Sequence, residues 1–183
     1  FEITDSISGG LLSIDGKITG TGLKEVTKTN ILIENFGVKD APLFTQILNA
    51  TSLVGLVNTL RGKGIRFQTL RADVDFTPNK IEIKDSFASG TSLGVSTEGA
   101  IDRNSDQISI KGMIVPAYIL NRIIDQIPLV GRILTGGEKE GLLAAEYLII
   151  GTRDEPDVIV NPLTAFTPGF LRAFVKATRK PLE

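Results

Sequence analysis

"KIEIKDSF", residues 80–87, alternates apolar and polar side chains with a period of two. Ile81, Ile83 and Phe87 share one parity, and Lys80, Glu82, Lys84 and Ser86 take the other. A repeat of two is the signature of an extended strand with one dry and one wet face. The pattern recurs on both sides of this stretch. "DQISIKGMIV" (106–115) sets Ile108, Ile110 and Ile114 against Gln107, Ser109 and Lys111, and "SLGVSTEGAID" (92–102) brings Leu93, Val95 and Ile101 into phase. "RFQTLRADVDF" (66–76) begins with Phe67 at an odd position and continues with Leu70, Ala72, Val74 and Phe76 at even ones. That slip predicts a bulge near Gln68–Thr69. Weaker alternation runs through "FEITDSI" (1–7), "GLLSIDGKITG" (10–20) and "TNILIENFGV" (29–38).

Short connectors rich in Gly, Asn, Asp and Pro separate the central strands: "TPNK" (77–80), "ASGTS" (88–92) and "DRNSD" (102–106). Successive strands joined by turns of this length form an antiparallel meander. "EGLLAAEYLIIGT" (140–152) and "DVIVN" (157–161) extend the strand set.

Helical spacing appears in three places. "DAPLFTQILNATSLVGLVNTLRG" (40–62) opens with Asp40 as N-cap and Pro42 near the first helical position. Phe44, Ile47 and Leu48 make one apolar face, while Leu53, Val57 and Leu60 make another. Two short helices, or one helix kinked near 49–52, are expected. "IVPAYILNRIIDQIPLVGRILTGG" (114–137) is the most apolar run, cut by Pro116 and Pro128 and stopped by Gly136–Gly137. "NPLTAFTPGFLRAFVKATRK" (161–180) has helix starts at Asn161–Pro162 and Thr167–Pro168. In its second half Phe170, Leu171, Phe174 and Val175 form an apolar stripe beside Arg172, Lys176, Arg179 and Lys180. That stripe is a membrane-contact candidate, or it packs on the chain's own sheet.

The fold class that follows is mainly β, a β-rich α+β domain: an antiparallel, strongly curved, groove-like sheet with short helices capping one end and side. Its 183 residues, 42% of them hydrophobic, are enough for one domain with a sizeable core. A net charge of −1 leaves no general positive field for a phosphate backbone, so nucleic acid is not an expected partner. The sequence has neither His nor Cys, which excludes Ser–His and Cys–His nucleophile pairs and thiolate metal sites. No enzyme activity, cofactor or metal is expected, although carboxylates such as Asp73 and Asp75 keep an acid–base enzyme open as a third class.

Four motifs invite a functional reading and are better explained by structure. "DRNSD" spaces Asp102, Asn104 and Asp106 like the start of a calcium loop, but Gln107 and Met113 stand where that loop needs Gly and Glu. A hairpin turn accounts for it. "ADVDF" puts Asp73 and Asp75 on the wet face of a strand. "GRILTGGEKEG" lacks the Gly-Lys-Ser/Thr of a phosphate loop. "NAT" (49–51) is a sequon inside a helical segment. The apolar strand face itself has two readings: a covered core, or a lipid-lined trough. Phe67, Leu70, Val74, Phe76, Ile81, Ile83, Phe87, Leu93, Val95, Ile108, Ile110 and Ile114 are the groove candidates.

From Ile114 onward the chain resembles the C-terminal region of bacterial AsmA-like proteins, the group of AsmA, YhdP and TamB relatives, most closely in its alphaproteobacterial form. The resemblance rests on an ordered series: "VPAY" (115–118), "IPLVG" (127–131), "GGEKEGL" (136–142), Tyr147 and Gly151, and "NPLTAFTPGFLR" (161–172). Weaker similarity reaches back through "STEGAIDRNSDQISIKG" and "GKGIRFQTL"; the first 40 residues have little. It implies that residues 1–183 are one domain, the C-terminal segment of a larger protein anchored in the inner membrane and reaching through the periplasm. Such a protein would move phospholipid between inner and outer membranes along an apolar β-groove, with an outer-membrane or periplasmic protein as a possible partner. The alternative from a different class is a scaffolding or assembly factor in outer-membrane biogenesis that transfers no lipid. The resemblance supplies no catalytic residue.

Overall fold

The computed structural model describes residues 6–50, 54–117 and 144–163. Nine strands form one open antiparallel sheet: β1 (Ile7–Ser8), β2 (Leu11–Thr19), β3 (Val26–Val38), β4 (Ile65–Phe76), β5 (Lys80–Gly90), β6 (Leu93–Asp102), β7 (Gln107–Pro116), β8 (Ala144–Thr152) and β9 (Pro156–Leu163). From β3 to β9 spatial order equals chain order, as the short connectors require. Both β1 and β2 pair with β3, and they keep one register across the Gly9–Gly10 break: Ser8 faces Gly37 and Leu11 faces Glu34. They therefore act as a single interrupted edge strand. A Cβ at Gly10, whose φ is +94°, would lie 2.8 Å from the Glu34 carbonyl, so the break needs glycine.

Two helices, α1 (Pro42–Ala50) and α2 (Val54–Arg61), connect β3 to β4. α1 ends at Ala50 and α2 starts at Val54, on either side of the point where the two apolar faces change phase. The first intrahelical bond runs from the Thr45 N–H to the Ala41 carbonyl. Ala41 is thus the N-cap, Pro42 is the first helical residue, and Asp40 sits one place outside with φ +50°. α1 approaches β9 and α2 approaches β4. α2 leads directly into β4, but β9 lies at the far end of the strand order from β3, so α1 reaches it only because the sheet curves around the helix pair.

Register decides which residues share the inner, helix-bearing face. Phe36 pairs with Phe67 and Val38 with Ile65. These side chains, with Leu93 and Ile114, pack against Ile47, Leu48, Val57 and Leu60 of the helices. The Phe36 and Phe67 rings stack at 5.2 Å, and Phe44 meets Phe67 at 6.5 Å. Leu48, Leu60, Leu93 and Ile114 are fully buried.

Two irregularities reset the alternation. The bulge predicted near Gln68–Thr69 is present: β4 slips against β5 between Phe67 and Thr69. Opposite Gln68, Asn35 takes φ +55°, so β3 changes parity on the same line and keeps its register with β4. The second bulge, at Lys84–Asp85, was not foreseen. It adds one residue to β5 relative to both neighbours. Ile81 and Ile83 pair with Phe76 and Val74 on the inner face, but Phe87 pairs with Arg71 and points outward. The small residues Ser86 and Ala88 take its expected place. A second expectation also changes: Asn161–Pro162 does not start a helix but belongs to β9. Proline is tolerated there because, among the described strands, β9 has a neighbour on one side only.

Candidate functional site

The inner face reads as successive rows running across the strands. Next to the helices lies Leu70–Ala88–Val95–Ile114–Ala145. One row further along, the side chains become small or hydroxylic: Ala72, Ser86, Thr97 and Gly112, followed by Tyr147. Beyond it come Val74–Ile83–Gly99–Ile110–Ile149–Val158, then Phe76–Ile81–Ile101–Ile108. Tyr147 lies across Gly112, where a Cβ would collide with the ring and with the Ser96 carbonyl. Its hydroxyl donates to that carbonyl at 2.8 Å and sits 2.7 Å from Thr97 Oγ1. Burial pushes the Tyr147 phenol up to about 12, and the Thr97 hydrogen bond opposes this.

This row divides the sequence-derived groove candidates. Phe67, Leu70, Leu93, Val95 and Ile114 lie on the helix side, and the first, third and last of them are already filled by the protein's own core. Val74, Phe76, Ile81, Ile83, Ile108 and Ile110 lie beyond it. There Val74 and Ile108 are buried, while Phe76, Ile81, Ile83 and Ile110 are half-buried. Among the described elements no helix covers this half of the face. Ile101 and Ile149 belong to the same surface and were not on the candidate list, though Ile101 alternates in phase with Leu93 and Val95.

β2 continues the surface past the core. Leu12, Ile14 and Ile18 pair with Ile33, Ile31 and Thr27 on the inner face and are 55%, 62% and 65% exposed. The apolar face thus grades from sealed at the helices, through half-buried in the middle of the sheet, to open at the β2 edge.

The outer face carries the polar residues. Asp75 forms a 2.8 Å ion pair with Lys84, the extra residue of the β5 bulge, and the Asp75 hydrogen bond and charge raise the Lys84 ammonium above its usual range. Glu98 pairs with Lys111 at 2.9 Å. Asp102 accepts backbone N–H bonds from Asn104 and Ser105 at 2.9 and 2.8 Å, which lower its carboxyl below the usual range, and Asp106 meets Arg153 at 3.3 Å. The "DRNSD" segment is therefore a hairpin turn, closed by the Asp102 carboxylate and tied by Asp106 to Arg153 just after β8. Phe87, displaced to this outer face, helps line a hollow of about 510 Å³ with Met113, Leu148 and Ile159. Among the described residues no group of three His, Cys, Asp or Glu is placed to hold a metal, and no helix is long and apolar enough to cross a membrane. The membrane-contact candidates Phe170, Leu171, Phe174 and Val175 lie outside the described residues, as does most of 114–137.

No family model matches this chain, and no curated protein or solved structure is similar to it.

Proposed function

We propose that this domain binds phospholipid acyl chains along its inner face, as the terminal segment of a periplasmic bridge that moves lipid between two membranes. One observation carries the reading: beyond Tyr147 the apolar face continues across six strands, from β4 to β9, without a described helix over it. A 16-carbon chain leaving a bilayer gives up on the order of 10 kcal/mol of apolar contact, at about 0.8 kcal/mol per methylene. Rows of Ile, Val and Phe replace that contact without a directional bond, so a chain slides along them with little change in free energy. Head groups stay in water along the open side. The resemblance to AsmA-like proteins supports the periplasmic setting, and the hydroxylic row at Ser86–Thr97 marks the inner limit of the lipid path.

Native mass spectrometry of the full chain tests the proposal. Wild-type protein should carry phospholipid masses, and Ile83→Asp and Ile110→Asp should stay folded and lose them. These positions are half-buried, so a charge there can remain hydrated. If both folded variants keep the lipid, the inner face is not its site. Wild-type protein free of lipid would favour the assembly role instead.

A further inference from the structure

The β2 strand is bonded to β3 on one side, and no described element lies along its other edge. All nine of its residues are exposed. An edge of this length with free N–H and C=O groups is a template for another strand. Its centre reads Ile14-Asp15-Gly16-Lys17-Ile18. Turned antiparallel about Gly16, this segment is complementary to itself. Ile14 then faces Ile18 of a second copy, Asp15 faces Lys17, and the two-fold axis repeats both contacts.

We propose that two copies of this chain pair through their β2 edges about Gly16. Three observations select a second copy as the occupant. The charges match when the strand meets its own reverse, Asp15 opposite Lys17 twice. Neither Asp15 nor Lys17 forms an ion pair among the described residues, and Lys17 stands directly opposite Lys28 of β3, a like charge that an incoming Asp15 carboxylate relieves. Ile14 and Ile18 remain 62% and 65% exposed in the single chain and would face each other in the pair. Opposite residues on paired strands share a face, so Ile14 and Ile18 meet on the inner side and the ion pairs form on the outer side. A two-fold axis normal to the sheet keeps both inner faces on one side. The pair therefore joins two apolar faces into one surface. This pairing stands independently of lipid binding.

Analytical ultracentrifugation of the full chain provides the test, with charge reversals that leave the exposed strand otherwise intact. Wild-type protein should form a dimer. Asp15→Lys and Lys17→Asp, each alone, place like charges opposite one another twice per dimer and should raise the dissociation constant about tenfold or more. An equimolar mixture of the two variants should recover a heterodimer, and the double reversal Asp15→Lys/Lys17→Asp should recover a homodimer. A monomeric wild type overturns the proposal and leaves the edge to a different partner. A dimer indifferent to the single reversals, or a mixture that fails to pair, also overturns it by placing the contact elsewhere.

Discussion

The two halves of the inner face are built from the same residue types and end in different states. Leu93 and Ile114 sit under α1 and α2 and are fully buried, whereas Ile83 and Ile110, two to three rows further along the sheet, are half-buried. Between them runs the row of Ser86, Thr97 and Gly112 with Tyr147 across it. Apolar alternation places a side chain on a face; what lies over that face decides whether it is core or binding surface. The helix side is sealed, and beyond Tyr147 buried Val74, Ile108 and Ile149 alternate with half-buried Ile83, Ile101 and Ile110.

The comparison breaks most sharply through the core. Leu60→Ala removes a fully buried side chain from beneath the sheet and should cost about 2–5 kcal/mol, read as a lower midpoint in urea. Ile83→Ala deletes a half-buried side chain and should cost clearly less. Equal losses at the two sites would mean that the outer half is sealed as tightly as the helix side.

The boundary is tested by pH. Tyr147 is neutral and buried when folded, with its phenol raised from about 10 to about 12. The folded state therefore holds a proton that the unfolded state releases first. Its contribution is fully present below pH 10 and is lost as pH rises through 12, on the order of 2–3 kcal/mol in all. Absorbance titration of the phenolate should show this late step, and Tyr147→Phe should remove it. The same substitution leaves the Ser96 carbonyl without its donor and should lower stability at neutral pH by about 1 kcal/mol.

Smaller still is the effect of ions. With no His or Cys in the chain and Asp102 engaged in its turn, EDTA, calcium, magnesium and ATP should leave the melting midpoint unchanged. A shift of several degrees with any one of them would reveal a specific site, because binding to the native state raises stability by mass action.

Much of this was legible in the residues, and the exceptions have physical causes. The meander, its turns and the broken helix pair follow from period and punctuation. The Gln68 bulge was visible because apolar residues changed parity within one strand. The Lys84–Asp85 bulge was masked by coincidence: Phe87 has the parity of Ile81 and Ile83, so the run seemed unbroken. The available signal was Asp85, a charge at an apolar parity, followed by Ala88 and Gly90 on the other. Asn161–Pro162 has the local grammar of a helix start, but pairing with β8 overrides it. Nor could alternation alone tell the filled half of the face from the rest, since Ile114 and Ile110 look alike until the helices are placed. The self-complementary centre of β2 was equally present in the sequence, but it gains meaning only once that strand is known to be an edge.

The most direct measurement follows isoleucine methyl NMR signals in the presence of phospholipid carrying a nitroxide on its acyl chain. The isoleucines are well distributed for this purpose. Ile83 and Ile110 lie on the inner face beyond Tyr147, Ile47 and Ile65 lie in the helix-side core, and Ile159 lies on the outer face. Acyl-chain binding along the inner face predicts that Ile83 and Ile110 broaden first while Ile47, Ile65 and Ile159 persist. Broadening centred on Ile159, or no selective broadening in a folded protein, would contradict it.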